Sequence, residues 1–199
     1  MVISRLDRPT MNPVAAIHGQ PSQCCSDTAP QFTVPSTYRS ADLSKGTGDH
    51  VIVKRLRAED SGVAHQAILR LKVHDARLRS TLTPEHLRFF LDDRQNVLIV
   101  AIDDGMPVGF ALAYLLDRID REHGMMLFYE IEVADTHRRR GIGQAMVTVI
   151  KDVCIAEQVF KMWVLTNRSN VAAVALYRST GGSAAASGDE VSFRYDFAQ

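Results

Sequence analysis

Arg138-Arg139-Arg140-Gly141-Ile142-Gly143 is the stretch whose reading decides how the rest of the chain is organised. Before it stands Phe128-Tyr129-Glu130-Ile131-Glu132-Val133, which reads as a strand. After it, Ile142, Ala145, Met146, Val149, Val153 and Ala156 recur at helical spacing, so residues 142 to 156 read as an amphipathic helix. A strand-to-helix turn gathers free backbone amides at the helix N-terminus, where they bind anions, and its glycines let a phosphate approach the backbone. Three arginines add positive charge. The Lys-Ser/Thr pair of a Walker loop is absent. The segment therefore proposes a pyrophosphate site of another kind.

Working outward, residues 1–48 carry Pro9, Pro13, Pro21, Pro30 and Pro35 among Ser, Thr, Gln and Gly, without hydrophobic period. That composition buries too little apolar surface to offset ordering entropy, and we read it as a flexible or poorly structured extension before a domain spanning 49–199. The domain opens with a strand, 51–56. An amphipathic helix follows from about Ala58 to Leu78, with a break expected midway. Thr83-Pro84-Glu85 has the order of an N-cap, a proline at the first helical position and a first-turn acid, opening a short helix to about Leu91. Strands are expected over 96–102, 107–116 and 125–133, the first two joined by the hairpin turn Asp103-Asp104-Gly105. Beyond the arginine–glycine turn and its helix come a strand over 160–166, a helix over 170–178 stopped by Gly181-Gly182, and a last strand over 191–197. The order β-α-α-β-β-β-α-β-α-β implies an α/β (α+β) fold, a mixed sheet with helices on both faces.

The helix at 170–178 carries a second motif, Asn170-Val-Ala-Ala173-Val-Ala-Leu176-Tyr177-Arg-Ser-Thr-Gly181. Together with Arg138-x-x-Gly141-x-Gly143 it resembles the two acyl-CoA signatures of the GNAT acetyltransferase superfamily, and the element order resembles the GNAT fold over residues 50 to 199. The departure is Gly182, where the family usually carries Phe; its loss of an apolar anchor is expected to loosen the following loop.

The resemblance implies acetyl-CoA as co-substrate and direct transfer to an amine in a ternary complex, with no metal and no covalent enzyme intermediate. It implies that the backbone of Ile131 and Val133 runs along the pantetheine arm, with the Val133 amide near the thioester carbonyl. The amides from Arg138 through Arg139, Arg140, Gly141 and Ile142 to Gly143 would hold the pyrophosphate. It leaves open whether Arg139 or Arg140 reaches the 3′-phosphate. Asn170 would cap its helix and touch the pantetheine, Ala173 would pack on the cofactor, and Tyr177 would protonate the leaving thiolate as general acid. Cys154 falls on the helix's apolar side and is expected to be a structural thiol.

For the base, the residues themselves offer Glu130 and Glu132. Side chains alternate along a strand, so both face one side while Ile131 and Val133 face the other. Two carboxylates are costly to bury, and a strand opening into a substrate cleft explains them better than a core does. A paired-carboxylate site would raise one pKa and favour its action as base. Glu130 is the preferred base or substrate anchor, with Glu132 close behind.

Within the superfamily, Val108 to Tyr114, Tyr129 to Val133 with His137-Arg138-Arg139, and Ala173 to Tyr177 resemble the small aminoglycoside 3-N-acetyltransferases, with Glu130 where that family tends to carry Asp. This implies a polycationic small-molecule acceptor, met by Asp117, Glu130, Glu132 and Asp189, and antibiotic resistance as the outcome. The rival readings are a peptide or protein N-acetyltransferase, and an acyl-CoA-binding module without turnover. Dimers are common in the family, so a homodimer is compatible with the resemblance.

Bulk properties set limits. The 23 basic and 23 acidic residues balance, so no global charge points to nucleic acid. Three cysteines (Cys24, Cys25 and Cys154) in no metal-ligand spacing argue against a zinc site or disulfide framework and suggest a reducing, cytoplasmic setting. No apolar run is long enough to span a membrane, and the N-terminal segment lacks the apolar stretch of a secretory signal.

Overall fold

In the computed structural model the described residues are 51–184 except 73, 74, 76 and 121. The extension over 1–48, the last expected strand over 191–197 and Asp189 lie outside them.

Strand β1 (Ile52–Arg55) is followed by a 3₁₀ turn (Ala58–Asp60) and helix α1 (Ser61–Leu71). The expected midway break comes at Lys72, whose ψ of 48° leaves the helical region. A single helical turn, α2 (Leu78–Thr81), precedes α3 (Pro84–Asp92). Thr83 caps α3 as its sequence predicts: its hydroxyl accepts from the His86 amide at 3.1 Å, with Pro84 at the first position. Strands β2 (Asn96–Asp103) and β3 (Met106–Leu116) are joined through Asp104 and Gly105, both at positive φ (47° and 75°). That pair of left-handed residues matches the right-handed twist of a hairpin. Strand β4 (Met125–Val133), helix α4 (Ile142–Ala156), strand β5 (Lys161–Val164) and helix α5 (Val171–Ser179) complete the described elements.

The sheet order is β1-β2-β3-β4-β5. The first three pairings are antiparallel and β4–β5 is parallel, as a strand–helix–strand crossover through α4 requires. Two cores sandwich this sheet. On one face α4 packs Ile142, Met146, Ile150 and Val153 against Ile99, Ala111, Met126 and Phe128. On the other, α1 and α3 pack Ala64, Ala67, Leu87 and Leu91 against Leu98, Val100 and Phe110. Phe110 and Phe128 are fully buried on opposite faces, each contributing roughly 1.5–3 kcal/mol by removal of apolar surface from water.

Two irregularities in β4 create the site. Leu112 pairs with Glu130 but Ala113 pairs with Phe128, so Tyr129 is an extra, bulged residue. The partner β5 reaches only as far as Phe128, opposite Val164. Among the described residues, β4 therefore runs on from Tyr129 to Val133 with a strand on one side only.

Candidate active site

The free edge of β4 has a definite polarity. The Ala134 amide donates to the Val108 carbonyl at 2.9 Å, directly across from it. Hydrogen-bonded and non-hydrogen-bonded pairs alternate in an antiparallel ladder, so the pairs Gly109–Val133 and Ala111–Ile131 turn their backbone groups away from each other. The amides and carbonyls of Ile131 and Val133 thus face the space that β5 leaves open. An extended ligand can pair with such an edge as a strand would. Arg138 already engages one of these groups, donating from Nε to the Val133 carbonyl at 3.2 Å while pairing with Asp135 at 2.7 Å. This clamp holds the end of β4 against the turn and, among the described residues, leaves the Val133 amide without a partner.

At the turn, Arg139 and Gly141 both take left-handed backbone conformations, φ 65° and 82°. A side chain at Gly141 would strain that conformation. The first hydrogen bond of α4 runs from Ala145 to the Gly141 carbonyl at 3.0 Å, so the amides of Ile142, Gly143 and Gln144 precede it as orphan donors. Their converging N–H groups and the helix dipole fit a pyrophosphate. Of the three arginines, Arg138 is held by Asp135, and Arg140 lies 3.4 Å from Asp103, which also meets His137 at 3.3 Å. Arg139 has no ion pair or hydrogen bond with a described residue, and its side chain alone of the three extends uncommitted to solvent.

The second motif meets the first. Asn170 caps α5, its Oδ1 accepting from the Ala173 amide at 3.1 Å. A Cβ built at Gly143 would lie 3.4 Å from Leu176 and 3.9 Å from Ile131, so the start of α4, the middle of α5 and β4 converge there. Tyr177 sets its ring edge-on against Phe128, 5.7 Å between centroids, next to the last residue that β5 covers. Burial raises the Tyr177 phenol above its ordinary value, keeping it protonated and able to donate. The glycine pair after α5 tightens the chain there. The Gly182 amide donates to the Tyr177 carbonyl at 2.8 Å and Gly181, at φ 89°, donates to Arg178 at 3.1 Å, a six-residue closure of the helix end. A Cβ at Gly182 would meet the Tyr177 carbonyl at 2.9 Å, so a Phe there needs a different exit from the helix.

On the opposite face, Glu130 borders a pocket of about 160 Å³ walled by Ile68, Leu82, Leu87, Phe90, Leu112 and Tyr114. Its carboxylate is bound by Lys72 Nζ at 2.8 Å, and that ammonium also stands 5.8 Å from the Phe110 ring centroid. Glu132, opposite Phe110 in the ladder, shares this face and makes no ion pair with a described residue. The partner that the structure gives Glu130 is therefore a lysine. Asp117 lies elsewhere: roughly 14 Å of strand separates Leu112 from Leu116, and Asp117, one residue further, accepts from Gln95 at 2.9 Å. Burial pushes the Cys154 thiol up to about 11, consistent with a structural rather than nucleophilic group. Among the described residues no three His, Cys, Asp or Glu side chains cluster as metal ligands, and no helix is long and apolar enough to cross a membrane.

Sequence reasoning missed Lys72 and the aromatic wall of Phe90 and Tyr114. The one signal for Lys72 was its place after the stripe Ala64, Ala67, Ile68 and Leu71, which put it at the rim of that helix's buried face.

Comparison with known proteins places this geometry. No curated protein sequence matches the chain. Among solved structures, an aminoglycoside acetyltransferase from an uncultured soil metagenomic sample aligns with a TM-score of 0.65, covering 74% of this chain and 97% of that one. Its complexes with trehalose and with sisomicin give identities of 25% and 24%. A ribosomal-protein-alanine N-acetyltransferase from Brucella melitensis biovar Abortus 2308 aligns at 23% identity and TM-score 0.57, over 74% of this chain and 99% of that one. An aminoglycoside N-acetyltransferase in complex with CoA aligns at 17% and 0.58, over 75% and 96%. The acetyltransferase (GNAT) family matches residues 66–181, from within α1 to the glycine that closes α5, and the chain belongs to that family of N-acetyltransferases.

Proposed function

We propose that the chain acetylates an amine of an aminoglycoside by direct transfer within a ternary complex, with the 3-amino group as the expected position and antibiotic resistance as the consequence. The observation that carries this reading is the two-sided construction of β4. Its free backbone edge and the orphan amides of α4 suit an acyl-CoA, while Glu130 and Glu132 present carboxylates on the other face to a cationic acceptor. The likeness to an aminoglycoside acetyltransferase at 25% identity supports the choice of acceptor.

In this reading acetyl-CoA supplies the activated acetyl group. The amides of Ile142, Gly143 and Gln144 hold its pyrophosphate, Arg139 its remaining phosphate, and the edges of Ile131 and Val133 its pantetheine, with Asn170 and Ala173 lining the arm. The Val133 amide donates to the thioester oxygen as negative charge develops there. Glu130 takes the proton of the acceptor ammonium, and Tyr177, held protonated by burial, donates to the departing sulfur. Asp117 and Asp189 would meet outlying amino groups of a larger polycation. A cytoplasmic location belongs to the same proposal.

The test is acetyl-CoA turnover, followed by thiol release, against aminoglycosides, polyamines and peptides. Turnover is expected with aminoglycosides, and the product's acetylated nitrogen is then assigned by NMR. Turnover confined to peptides would overturn the assignment.

A further inference from the structure

Lys72 holds an unusual place in the acceptor pocket. Its Nζ lies 2.8 Å from Glu130 Oε1 and 5.8 Å from the Phe110 ring centroid, in a pocket whose walls are mostly apolar and include His86. A carboxylate, an aromatic face and apolar surroundings are what an incoming organic ammonium would need. All three are already occupied by an ammonium belonging to the chain itself. The position along β4 is also the right one. Glu130 and the Glu132 that faces Phe110 bracket Ile131, and Val133 follows directly, so the Lys72 ammonium stands beside the stretch whose far edge is left open by β5. Tyr177 borders the same opening from the other face, against Phe128. Lys72 ends α1 outside the helical conformation and carries an unbranched four-carbon stem, which lets its amine travel.

We infer that Lys72 is an internal acceptor, a self-acetylation site that occupies the acceptor's seat and is modified when no external amine is bound. The inference rests on the acetyl-transfer site proposed above. The step balances as any amide formation from an ammonium and a thioester. The Lys72 nitrogen forms the N–C bond and the C–S bond breaks, its electron pair leaving on sulfur. Of the two protons nitrogen gives up, one passes through Glu130 to solvent and the other ends on the sulfur by way of Tyr177. Acetylated Lys72 carries no charge, leaves Glu130 without its cation and adds bulk to the pocket.

The full-length chain is incubated with acetyl-CoA and no acceptor, and acetylation is mapped by peptide mass spectrometry. The label is expected on Lys72, at a rate independent of protein concentration, suppressed by a saturating aminoglycoside and absent in Lys72→Arg. Tyr177→Phe is expected to slow it at least about tenfold, as loss of a general acid does. Equal labelling in Tyr177→Phe or in urea-unfolded chain would mean simple chemical acetylation and would overturn the inference. Thiol release with the amine panel separates the two failures. Turnover of an aminoglycoside by a chain unlabelled at Lys72 overturns this inference alone. Label on Lys72 without turnover of any aminoglycoside overturns the acceptor proposed above and leaves this inference standing. Neither label nor turnover overturns both.

Discussion

The two faces of β4 are built from different materials. On the α4–α5 face the proposed cofactor contacts are backbone groups: amides ahead of the first hydrogen bond of α4, the outward edges of Ile131 and Val133, and left-handed turns at Arg139 and Gly141. On the α1–α3 face the pocket is made of side chains from α1, α3, β2, β3 and β4, with the Glu130–Lys72 ion pair in its lining. Backbone recognition constrains which positions can be glycine and where helices start, so it leaves a pattern in sequence. Side-chain recognition constrains only which residues meet in space, so it can be rebuilt for a new acceptor without disturbing the fold.

This contrast can be broken by mutations that act across the strand. Tyr177→Phe should have the largest effect, lowering kcat by about 10²–10⁴-fold while acetyl-CoA affinity stays within about twofold; calorimetric titration and thiol release measure the two. Unchanged kcat would remove Tyr177 as the acid. Because burial raises the phenol above its ordinary 10.0, the protonated form is favoured in the folded chain. The alkaline fall in kcat should therefore lie above pH 10, and a fall centred near neutrality would assign the acid elsewhere. Next, Glu130→Gln should lower kcat/KM for the amine by about 10²-fold and flatten the limb that rises with pH, with acetyl-CoA binding intact. If only Glu132→Gln does so, the two carboxylates exchange roles.

Gly141→Ala should act in the opposite sense, weakening acetyl-CoA binding about tenfold through ~1–2 kcal/mol of left-handed strain while acceptor KM holds. An equal loss for both substrates would show that the two faces are coupled and that the division drawn here is too sharp. The smallest effect is structural. Thr83→Ala removes the hydroxyl that accepts from the His86 amide and should cost ~1 kcal/mol, or about 2–4 °C in Tm, by thermal denaturation. It should leave acetyl-CoA affinity unchanged, since α3 lies on the face of the sheet opposite α4.

The same contrast explains what was legible. The Thr83 cap, the Asp104-Gly105 hairpin, the full span of α4 and the alternation that puts Glu130 and Glu132 on one face followed from local rules of capping, turn chemistry and periodicity. The Tyr129 bulge left no local mark, because a strand of Met, Leu, Phe, Tyr and Ile reads alike with or without an extra residue. The Arg138–Val133 clamp and the Arg140–Asp103 pair were equally hidden. Three consecutive arginines look interchangeable until the chain's path gives two of them partners. Gly182 taught the converse: the loss of an apolar anchor reads as loosening, yet its missing Cβ permits the amide to close on Tyr177.

By itself the sequence determined the family, the sheet-and-helix order and the place of the arginine–glycine turn between β4 and α4, because each rests on contacts between residues close in the chain. Only the tertiary structure decided that β5 pairs with β4 only as far as Phe128, which of the arginines meet described partners, and that Lys72 sits on Glu130. The Lys72–Glu130 meeting, between residues nearly 60 apart in sequence, depends on where separate elements come to rest, and backbone propensity carries no information about such meetings.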